Sequence, residues 1–377
     1  MKRLIPVSKV FLLVTAFLIS AEVYGQTADE FYKSGVEKVN AYEYDSAITY
    51  FDKAIGLNPE MASAYAARGH LKFWLSDYNG AIEDCNRCIE LDPGIPLAYS
   101  ARGLTKVKLW DNEGAKTDYT KAIELDPENA DVYFYRGTVR YETEDYSGAV
   151  ADFSMVIKIF PDNADAYNSR GQAKKELKDD KGAVEDFTKA IGISPDFPLA
   201  YLNRGRVYLF QFNNNICIQD FTRAIELDSN YIDAYYARGH AKKHRRDYAG
   251  AIADFTKIIE IDPMTTTGYG DRASVKYTTK DFAGALEDLN KDIEINTEYG
   301  EAYNNRGLVK TELKDYKGAI ADFSKTLQIN PDHDEAHYNR GMAKIESGEK
   351  ESGCIDLKRA YELGFAKAKE AVQKFCK

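Results

Sequence analysis

Apolar positions recur at spacings of three and four residues along nearly the whole chain, in a 34-residue pattern that returns ten times. In residues 300–333 one apolar stripe precedes Asp315, and a second runs from Ala319 to Ile329. Stripes with this period are typical of amphipathic helices that bury one face. Pro331 ends the second stripe because proline has no backbone N–H to donate. Each repeat therefore predicts two helices joined by a short turn.

The repeats keep one register along the chain. We number the positions of each repeat from 1 to 34 and call them slots. A small residue occupies slots 8 and 20 of every repeat, and proline occupies slot 32 of seven repeats. Small residues on facing helices let the two axes approach to within about 8–10 Å. The ten predicted repeats are 28–61, 62–95, 96–129, 130–163, 164–197, 198–231, 232–265, 266–299, 300–333 and 334–367.

Neither helix of a repeat can bury its apolar stripe alone, whereas successive pairs that stack on one another bury it continuously. No shift in composition and no Gly/Ser-rich linker divides the pattern, so one continuous array is expected. A further apolar stripe begins at Phe365. It predicts a final helix that caps the array, with residues 368–377 as its end.

This pattern resembles the tetratricopeptide repeat. The resemblance covers residues 28 to about 367 and extends to secreted bacterial proteins with about ten tandem repeats. It implies an all-α, right-handed superhelical solenoid of antiparallel helix pairs, with the first helices lining a concave groove, and a role in binding other proteins. In residues 300–333 it rests on Tyr303 at slot 4, Gly307 at slot 8, Ala319 at slot 20, Phe323 at slot 24 and Pro331 at slot 32.

One departure from the family pattern is itself repeated. Slot 7, usually apolar in the family, holds arginine in every repeat except the first, and slot 23 holds aspartate in the same nine repeats. Because both are missing together from the first repeat, we predict that they pair between helices through a two-pronged guanidinium contact. The alternative is a row of arginines that faces a ligand. The residues are Arg68, Arg102, Arg136, Arg170, Arg204, Arg238, Arg272, Arg306 and Arg340, with Asp84, Asp118, Asp152, Asp186, Asp220, Asp254, Asp288, Asp322 and Asp356.

The first 25 residues have a different character. Three basic residues precede the apolar run Val10–Ser20, which predicts a secretory signal peptide over residues 1–25 that is cleaved between Gly25 and Gln26. The apolar run is shorter than the roughly 20 residues of a membrane-spanning helix. An uncleaved N-terminal anchor is the alternative. We therefore expect export to the periplasm, the outer membrane or the exterior of a bacterium, with membrane association only through a retained segment or a partner.

The charge balance bears on the class of partner. The chain carries a formal net charge of -10, and an acidic protein repels the phosphate backbone of nucleic acids. Nucleic acid is therefore not expected as a partner.

The cysteines suggest one structural bond. Cys354 and Cys376 come level if the last two helices are antiparallel, so a disulfide that fixes the cap is predicted, with two free thiols as the alternative. Cys85 and Cys88 form a C-x-x-C pair, but no second pair accompanies them, and both slots face the predicted core. Packing is the favoured interpretation of this pair, over zinc binding or thiol exchange.

Candidate chemistry is otherwise sparse. His240 and His244 stand four residues apart, but they lack an evident third ligand and lie among basic residues, which disfavours a metal. Nucleophile-elbow, phosphate-loop and H-E-x-x-H motifs are absent from the sequence, and the repeats leave no segment large enough for an enzyme domain. The sequence thus predicts a protein that is not an enzyme and needs no metal or cofactor.

The concave groove implied by the resemblance is the remaining functional surface. Slots 2, 5, 9 and 12 of the first helices form its stripe, and large apolar side chains there and beside them favour a partner-binding site. Packing against the adjacent helix is the alternative for any one of them. The predicted groove residues are Phe73, Trp74, Leu104, Val107, Phe134, Tyr141, Leu202, Leu209, Phe210, Tyr236 and Asn304.

These observations predict a scaffold that holds a peptide segment or a partner protein of the cell envelope along the groove. A protein that binds glycans or small ligands is the alternative, because the 27 tyrosines could stack on sugar rings. Eight of these tyrosines occupy slot 4, however, which is a structural position in the family.

Overall fold

The computed structural model describes residues 26–376, so the predicted signal peptide lies outside the described residues. These residues form helices joined by short turns, which confirms the all-α fold. Among them, no helix combines the length and the apolar character that crossing a bilayer requires. The helices are α1 (Ala28–Asn40), α2 (Tyr44–Leu57), α3 (Ala62–Trp74), α4 (Tyr78–Leu91), α5 (Pro96–Lys108), α6 (Asn112–Leu125), α7 (Ala130–Glu142), α8 (Tyr146–Ile159), α9 (Ala164–Glu176), α10 (Asp180–Ile193), α11 (Pro198–Phe210), α12 (Asn214–Leu227), α13 (Ile232–His244), α14 (Tyr248–Ile261), α15 (Thr266–Thr278), α16 (Phe282–Ile295), α17 (Gly300–Glu312), α18 (Tyr316–Ile329), α19 (Asp334–Glu346), α20 (Lys350–Glu362) and α21 (Ala366–Phe375).

The chain divides into two compact parts between α9 and α10. We refer to residues 26–179 as the N-terminal part and to residues 180–376 as the C-terminal part. In each part every helix packs on the next helix along the chain, and the first helices of neighbouring repeats also touch, as α3 touches α5 and α17 touches α19. Helix pairs therefore stack in chain order within each part.

The core of a repeat lies where slot 8 of the first helix meets slot 24 of the second. The slot 24 ring is almost completely buried in most repeats. A Cβ atom placed on Gly307 would lie 2.6 Å from the ring of Phe323, so only glycine permits this approach. The eighth repeat has Ala273 opposite Leu289 in the same slots, and the added methyl group accompanies a smaller facing side chain. The buried rings are Phe51, Tyr119, Phe153, Phe187, Phe221, Phe255 and Phe323.

The second helix of many repeats begins at an aspartate in slot 16. Its carboxylate accepts a hydrogen bond from the N–H of the glycine in slot 19, at 2.9 Å both for Asp145 with Gly148 and for Asp315 with Gly318. Such a cap satisfies one of the N–H groups that has no partner inside the helix. The start of the second helix is thus determined locally.

The turn between the two helices uses a left-handed residue at slot 15. Its φ lies between 57° and 65° in nine repeats, and the tenth repeat has Gly348 there. At Lys314 the N–H bonds to the carbonyl of Thr311, and the next N–H, of Asp315, bonds to the carbonyl of Lys310. This pattern closes the first helix by satisfying its last carbonyls. The nine residues are Tyr42, Ser76, Trp110, Glu144, Lys178, Phe212, Arg246, Lys280 and Lys314.

Replacing Lys314 with glycine should raise the free energy of unfolding by about 0.5–1 kcal/mol, because a side chain strains the backbone at φ 62° and glycine does not. Lys358→Gly is the matched control, since Lys358 lies inside α20. There the same change should cost about 1 kcal/mol. Urea denaturation of both variants provides the measurement, and a destabilised Lys314→Gly variant would contradict the strain argument.

The C-terminal end of the array is covered by α21. Ala368 and Ala371 are buried, and the ring of Phe365 lies 5.0 Å from that of Tyr338 on α19. The structure joins Cys354, on α20, to Cys376, which directly follows α21, in a disulfide. The bond ties the covering helix to the last repeat.

Candidate functional site

One side-chain arrangement recurs from repeat to repeat, and it centres on the arginine at slot 7. In eight described repeats its Nε and Nη2 atoms donate to the two carboxylate oxygens of the aspartate at slot 23, at 2.8–3.0 Å and 2.6–2.7 Å respectively. In seven of these repeats a Lys or Arg at slot 11 also contacts the aspartate. The pairs are Arg68 with Asp84, Arg102 with Asp118, Arg136 with Asp152, Arg204 with Asp220, Arg238 with Asp254, Arg272 with Asp288, Arg306 with Asp322 and Arg340 with Asp356.

The third nitrogen of the same guanidinium reaches the preceding repeat. Nη1 of Arg136 donates to the hydroxyl of Thr120 at 2.9 Å, and Nη1 of Arg306 donates to the amide oxygen of Asn290 at 2.9 Å. Each arginine thus links the second helix of its own repeat to the second helix of the repeat before it. The first repeat has Ser34 at slot 7 and Tyr50 at slot 23 instead.

In the second to ninth repeats the slot 7 guanidinium also lies over the ring of the tyrosine at slot 4, with 5.4–5.8 Å to the ring centroid. The tenth repeat has His337 at slot 4. The hydrogen bonds that Arg102 donates to the carboxylate of Asp118 raise the pKa of Arg102, even though burial opposes this. Near the end of the array, burial alone would raise the pKa of Asp356, and hydrogen bonds from Arg340 and Lys344 hold it below its ordinary value. The contacts describe a structural ladder rather than a row that faces a ligand. The tyrosine faces are likewise occupied, which weakens the alternative of glycan stacking.

An apolar surface lies on the first helices of the N-terminal part. Side chains from α3, α5 and α7 surround a cavity of about 330 Å³ there. We call this the apolar surface. The most exposed apolar member is Trp74, which is 58% accessible to solvent. Its lining consists of Phe73, Trp74, Leu104, Val107, Lys108, Tyr119, Phe134, Tyr135, Thr138, Val139 and Glu142.

Contacts beneath the apolar surface fix its exposed rings. The indole N–H of Trp74 donates to Nε2 of His70 at 3.1 Å, and Phe73 packs edge-on against Trp74 at 5.1 Å. Burial lowers the pKa of His70, so its ring stays neutral and can accept this bond. Phe134 packs on the buried ring of Phe153 at 5.4 Å. The surface is therefore held in place by its own supporting residues.

Other predicted groove residues lie outside this surface. Tyr141 packs against Tyr146 at 5.4 Å, in the N-terminal part. In the C-terminal part, Leu209 and Phe210 line a separate cavity of about 210 Å³ together with His244. Phe210 is 73% exposed.

The groove prediction is wrong for Leu202 and Asn304. Leu202 is fully buried, in a cluster with Phe221, and Asn304 is 2% exposed and accepts a hydrogen bond from Asn339 on α19. Both occupy slot 5, which points towards the first helix of the following repeat. Tyr236, a larger side chain in the same slot, is 38% exposed.

Tyr236 lies beside a polar cavity that is not part of the predicted groove. The cavity measures about 510 Å³ and lies in the C-terminal part between α13, α15, α16 and α17. We call it the polar cavity. Its one signal in the sequence is Asp292 at slot 27, a slot that otherwise holds apolar residues or threonine. Its lining consists of Tyr236, Thr266, Thr267, Gly270, Asp271, Ser274, Asp292, Asn296, Tyr299 and Asn305.

The cysteine and histidine candidates sit in ordinary structural settings. Cys85 and Cys88 are fully buried, and burial raises the pKa of their thiols to about 12 and about 11. His240 contacts Asp271 through Nε2 at 3.1 Å and packs against Tyr236. Over residues 26–376 no group of three or more His, Cys, Asp or Glu side chains is arranged to hold a metal ion.

Family models match the sequence over the same repeats. Models described as tetratricopeptide repeat match residues 62–95, 131–163, 164–197, 199–231, 232–263 and 300–333, and one described as TPR repeat matches residues 111–144. Together they cover more than half of the chain. The chain belongs to the tetratricopeptide repeat family.

Solved structures of tetratricopeptide repeat proteins share this architecture. The C-terminal part of a tetratricopeptide repeat protein from Cytophaga hutchinsonii is 18% identical to this chain, with a TM-score of 0.54 over 64% of this chain and 98% of that chain. A tetratricopeptide repeat protein from Parabacteroides merdae is 18% identical, with a TM-score of 0.49 over 66% and 99%. YrrB, a tetratricopeptide repeat protein with an unusual peptide-binding site, is 24% identical, with a TM-score of 0.46 over 51% and 97%. No curated protein matches the sequence.

Membership of the tetratricopeptide repeat family narrows the class of function. Proteins of this family are generally interaction scaffolds without enzymatic activity, so proteins or peptides are the partners that the fold indicates. Within the described residues, the apolar surface and the polar cavity are two candidate binding sites.

Proposed function

We propose that this tetratricopeptide repeat protein is a non-enzymatic scaffold of the bacterial cell envelope that holds an apolar segment of a partner protein on the apolar surface. The exposure of Trp74 beside the cavity of about 330 Å³ carries the proposal. Leaving a large ring in water forgoes the free energy of burying it. A cluster of such rings therefore favours a surface that a partner covers.

The composition of the apolar surface supports a protein partner over a sugar. Its floor is aromatic and aliphatic, and Lys108 and Glu142 stand at its edge. A floor of this kind suits aliphatic or aromatic side chains, while one cation and one anion at the edge can orient the polar backbone around them. Most of the lining is apolar, whereas sugar recognition relies on many hydrogen-bonding groups.

The location in the envelope rests on the N-terminal sequence. The basic residues before the apolar run Val10–Ser20 favour secretion through the inner membrane of a bacterium. The acidic mature chain would then meet envelope proteins, and its charge disfavours anionic surfaces.

Replacing Trp74 with asparagine should reduce partner capture about tenfold or more, because a central aromatic residue often contributes over 2 kcal/mol to an interface. A photoreactive amino acid at Lys108, at the edge of the apolar surface, would crosslink the bound partner in intact cells. Mass spectrometry of the crosslinked product then identifies a peptide of that partner.

Trp110→Asn is the matched control. Trp110 is the other tryptophan of the chain, is 89% exposed and does not line the apolar surface. Its loss should leave the crosslinked product unchanged, and the circular dichroism of both variants should match the parent protein. Equal crosslinking with Trp74→Asn, or a product that contains only polysaccharide, would refute the proposed scaffold function.

A further inference from the structure

Slot 27 carries a buried residue in every repeat, and in the eighth repeat that residue is a carboxylic acid. Nine repeats place an apolar side chain or threonine there, whereas the eighth places Asp292, which is 1% exposed. The threonine of the ninth repeat satisfies its hydroxyl by donating to backbone carbonyls. The other residues at this slot are Ala54, Cys88, Ala122, Val156, Ala190, Ala224, Ile258, Thr326 and Ala360.

The carboxylate of Asp292 lacks the partners that other buried carboxylates have. Its Oδ1 atom is buried without a hydrogen-bond partner. Asp288, one turn earlier on α16 and equally buried, contacts both Arg272 and Lys276. An unpaired buried carboxylate is costly, so a protein that keeps one generally uses it to bind or to react.

The same repeat also opens a path to this carboxylate. At slot 5, where other repeats place Leu202, Phe134 or Tyr236, the eighth repeat has Gly270. A Cβ atom on Gly270 would lie 3.1 Å from Oδ2 of Asp292. A larger side chain in this slot would fill the space in front of the carboxylate. Its absence leaves the polar cavity of about 510 Å³ with Asp292 in the wall.

The lining of the polar cavity specifies the charge of a ligand. It holds two carboxylates, Asp271 and Asp292, and no Lys, Arg or His side chain. Two basic side chains stand at its border, where His240 contacts Asp271 and Lys243 donates to the hydroxyl of Ser274. Neither of them satisfies Oδ1 of Asp292. The lining is therefore suited to a positively charged group.

The remaining lining residues favour an organic cation over a metal ion. Two carboxylates fall short of the larger set of oxygen ligands that a hard cation prefers. The rings of Tyr236 and Tyr299 can instead stabilise an ammonium group through their faces, and neighbouring hydroxyl and amide oxygens can accept its N–H bonds.

We propose that the polar cavity binds a primary ammonium group, with Asp292 as its buried anion and Asp271 as the second carboxylate. The source is either a lysine side chain of a bound protein or a free aliphatic amine. The site lies in the C-terminal part and does not depend on the apolar surface, so either proposal can fail without the other.

Isothermal titration calorimetry of the full chain with three probes tests this site. Nα-acetyl-lysine-N-methylamide and pentylammonium carry the ammonium group, and Nα-acetyl-norleucine-N-methylamide has the same four-carbon side chain as the lysine probe without the ammonium group. We expect both ammonium probes to bind and the norleucine probe not to. Tighter binding of the lysine amide assigns the natural ligand to protein, and tighter binding of pentylammonium assigns it to a free amine. Equal binding of the lysine and norleucine probes would overturn the proposal.

Two variants test the carboxylate of Asp292 and the space in front of it separately. Asp292→Asn should weaken the binding of both ammonium probes about tenfold or more, since it removes a charge-assisted hydrogen bond. Gly270→Leu should block them by filling the cavity, as Leu202 fills slot 5 in the sixth repeat. Glu287→Gln is the control, because Glu287 is an exposed carboxylate outside the lining. This variant should bind the ammonium probes as the parent protein does. Undiminished binding by Asp292→Asn would refute the site.

Discussion

Replacing Asp152 with alanine should lower the free energy of unfolding by about 3–5 kcal/mol, the cost of removing one partner from a buried ion pair. Asp152 is 2% exposed and accepts hydrogen bonds from Nε and Nη2 of Arg136 at 3.0 and 2.7 Å. A third bond comes from Nη1 of Arg140 at 2.9 Å. The variant leaves two guanidinium groups poorly hydrated and without their anion. Arg136 would also lose the orientation that lets it reach Thr120 in the preceding repeat.

Hydrogen exchange and urea denaturation together measure this effect. Because a repeat array is stabilised by nearest-neighbour contacts, the loss of amide protection should be largest in α6, α7 and α8. Asp165→Ala is the matched control, since that carboxylate is exposed at the start of α9, and it should change stability by less than about 0.5 kcal/mol. A loss of similar size in both variants would mean that the arginine ladder is not what holds the repeats together.

The helical architecture could be predicted because its signals are local and are repeated many times. The three-four spacing of apolar residues gives the buried face of each helix, and the small residues at slots 8 and 20 give the contact between two helices. The pairing of Arg136 with Asp152 could be predicted because the first repeat lacks both the arginine at slot 7 and the aspartate at slot 23. The link from Arg136 to Thr120 was not predicted, because threonine and asparagine at slot 25 give no distinctive pattern.

Exposure along the first helices was harder to predict, because periodicity gives the face of a helix but not how far its neighbour covers that face. At slot 5 the side chain meets the first helix of the next repeat, so size decides the outcome. Leu202 and Asn304 are buried there, whereas the larger Tyr236 is 38% exposed. The polar cavity depends on two residues that are 22 positions apart in sequence, Gly270 and Asp292. Asp292 is unusual for slot 27, but the contact between the two positions becomes evident only when both are placed in the fold.

Asp292→Asn should have the opposite effect on stability to Asp152→Ala, raising the free energy of unfolding by about 2–3 kcal/mol at neutral pH. Burial, and then the charge of Asp271, raise the pKa of Asp292 to about 6 in the folded chain. The ordinary value in an unfolded chain is about 3.9, and each pKa unit corresponds to about 1.4 kcal/mol. An acid with a raised pKa destabilises the fold once pH exceeds its unfolded value, because the unfolded chain then releases the proton more readily. Asparagine has the same shape and never bears the charge.

The pH dependence of this gain distinguishes the charge of Asp292 from a change in packing. Below about pH 4 the carboxyl is protonated in both states, so the variant and the parent should be equally stable. The difference should grow between pH 4 and 6 and stay constant above, whereas Glu287→Gln should show no such profile. Because the ammonium ligand binds only the folded chain, saturating pentylammonium should stabilise the parent protein. The difference in the free energy of unfolding between variant and parent should then disappear at pH 7. A gain that is independent of pH, or a variant less stable than the parent at pH 7, would show that Asp292 is satisfied within the fold and has no charge left for a ligand.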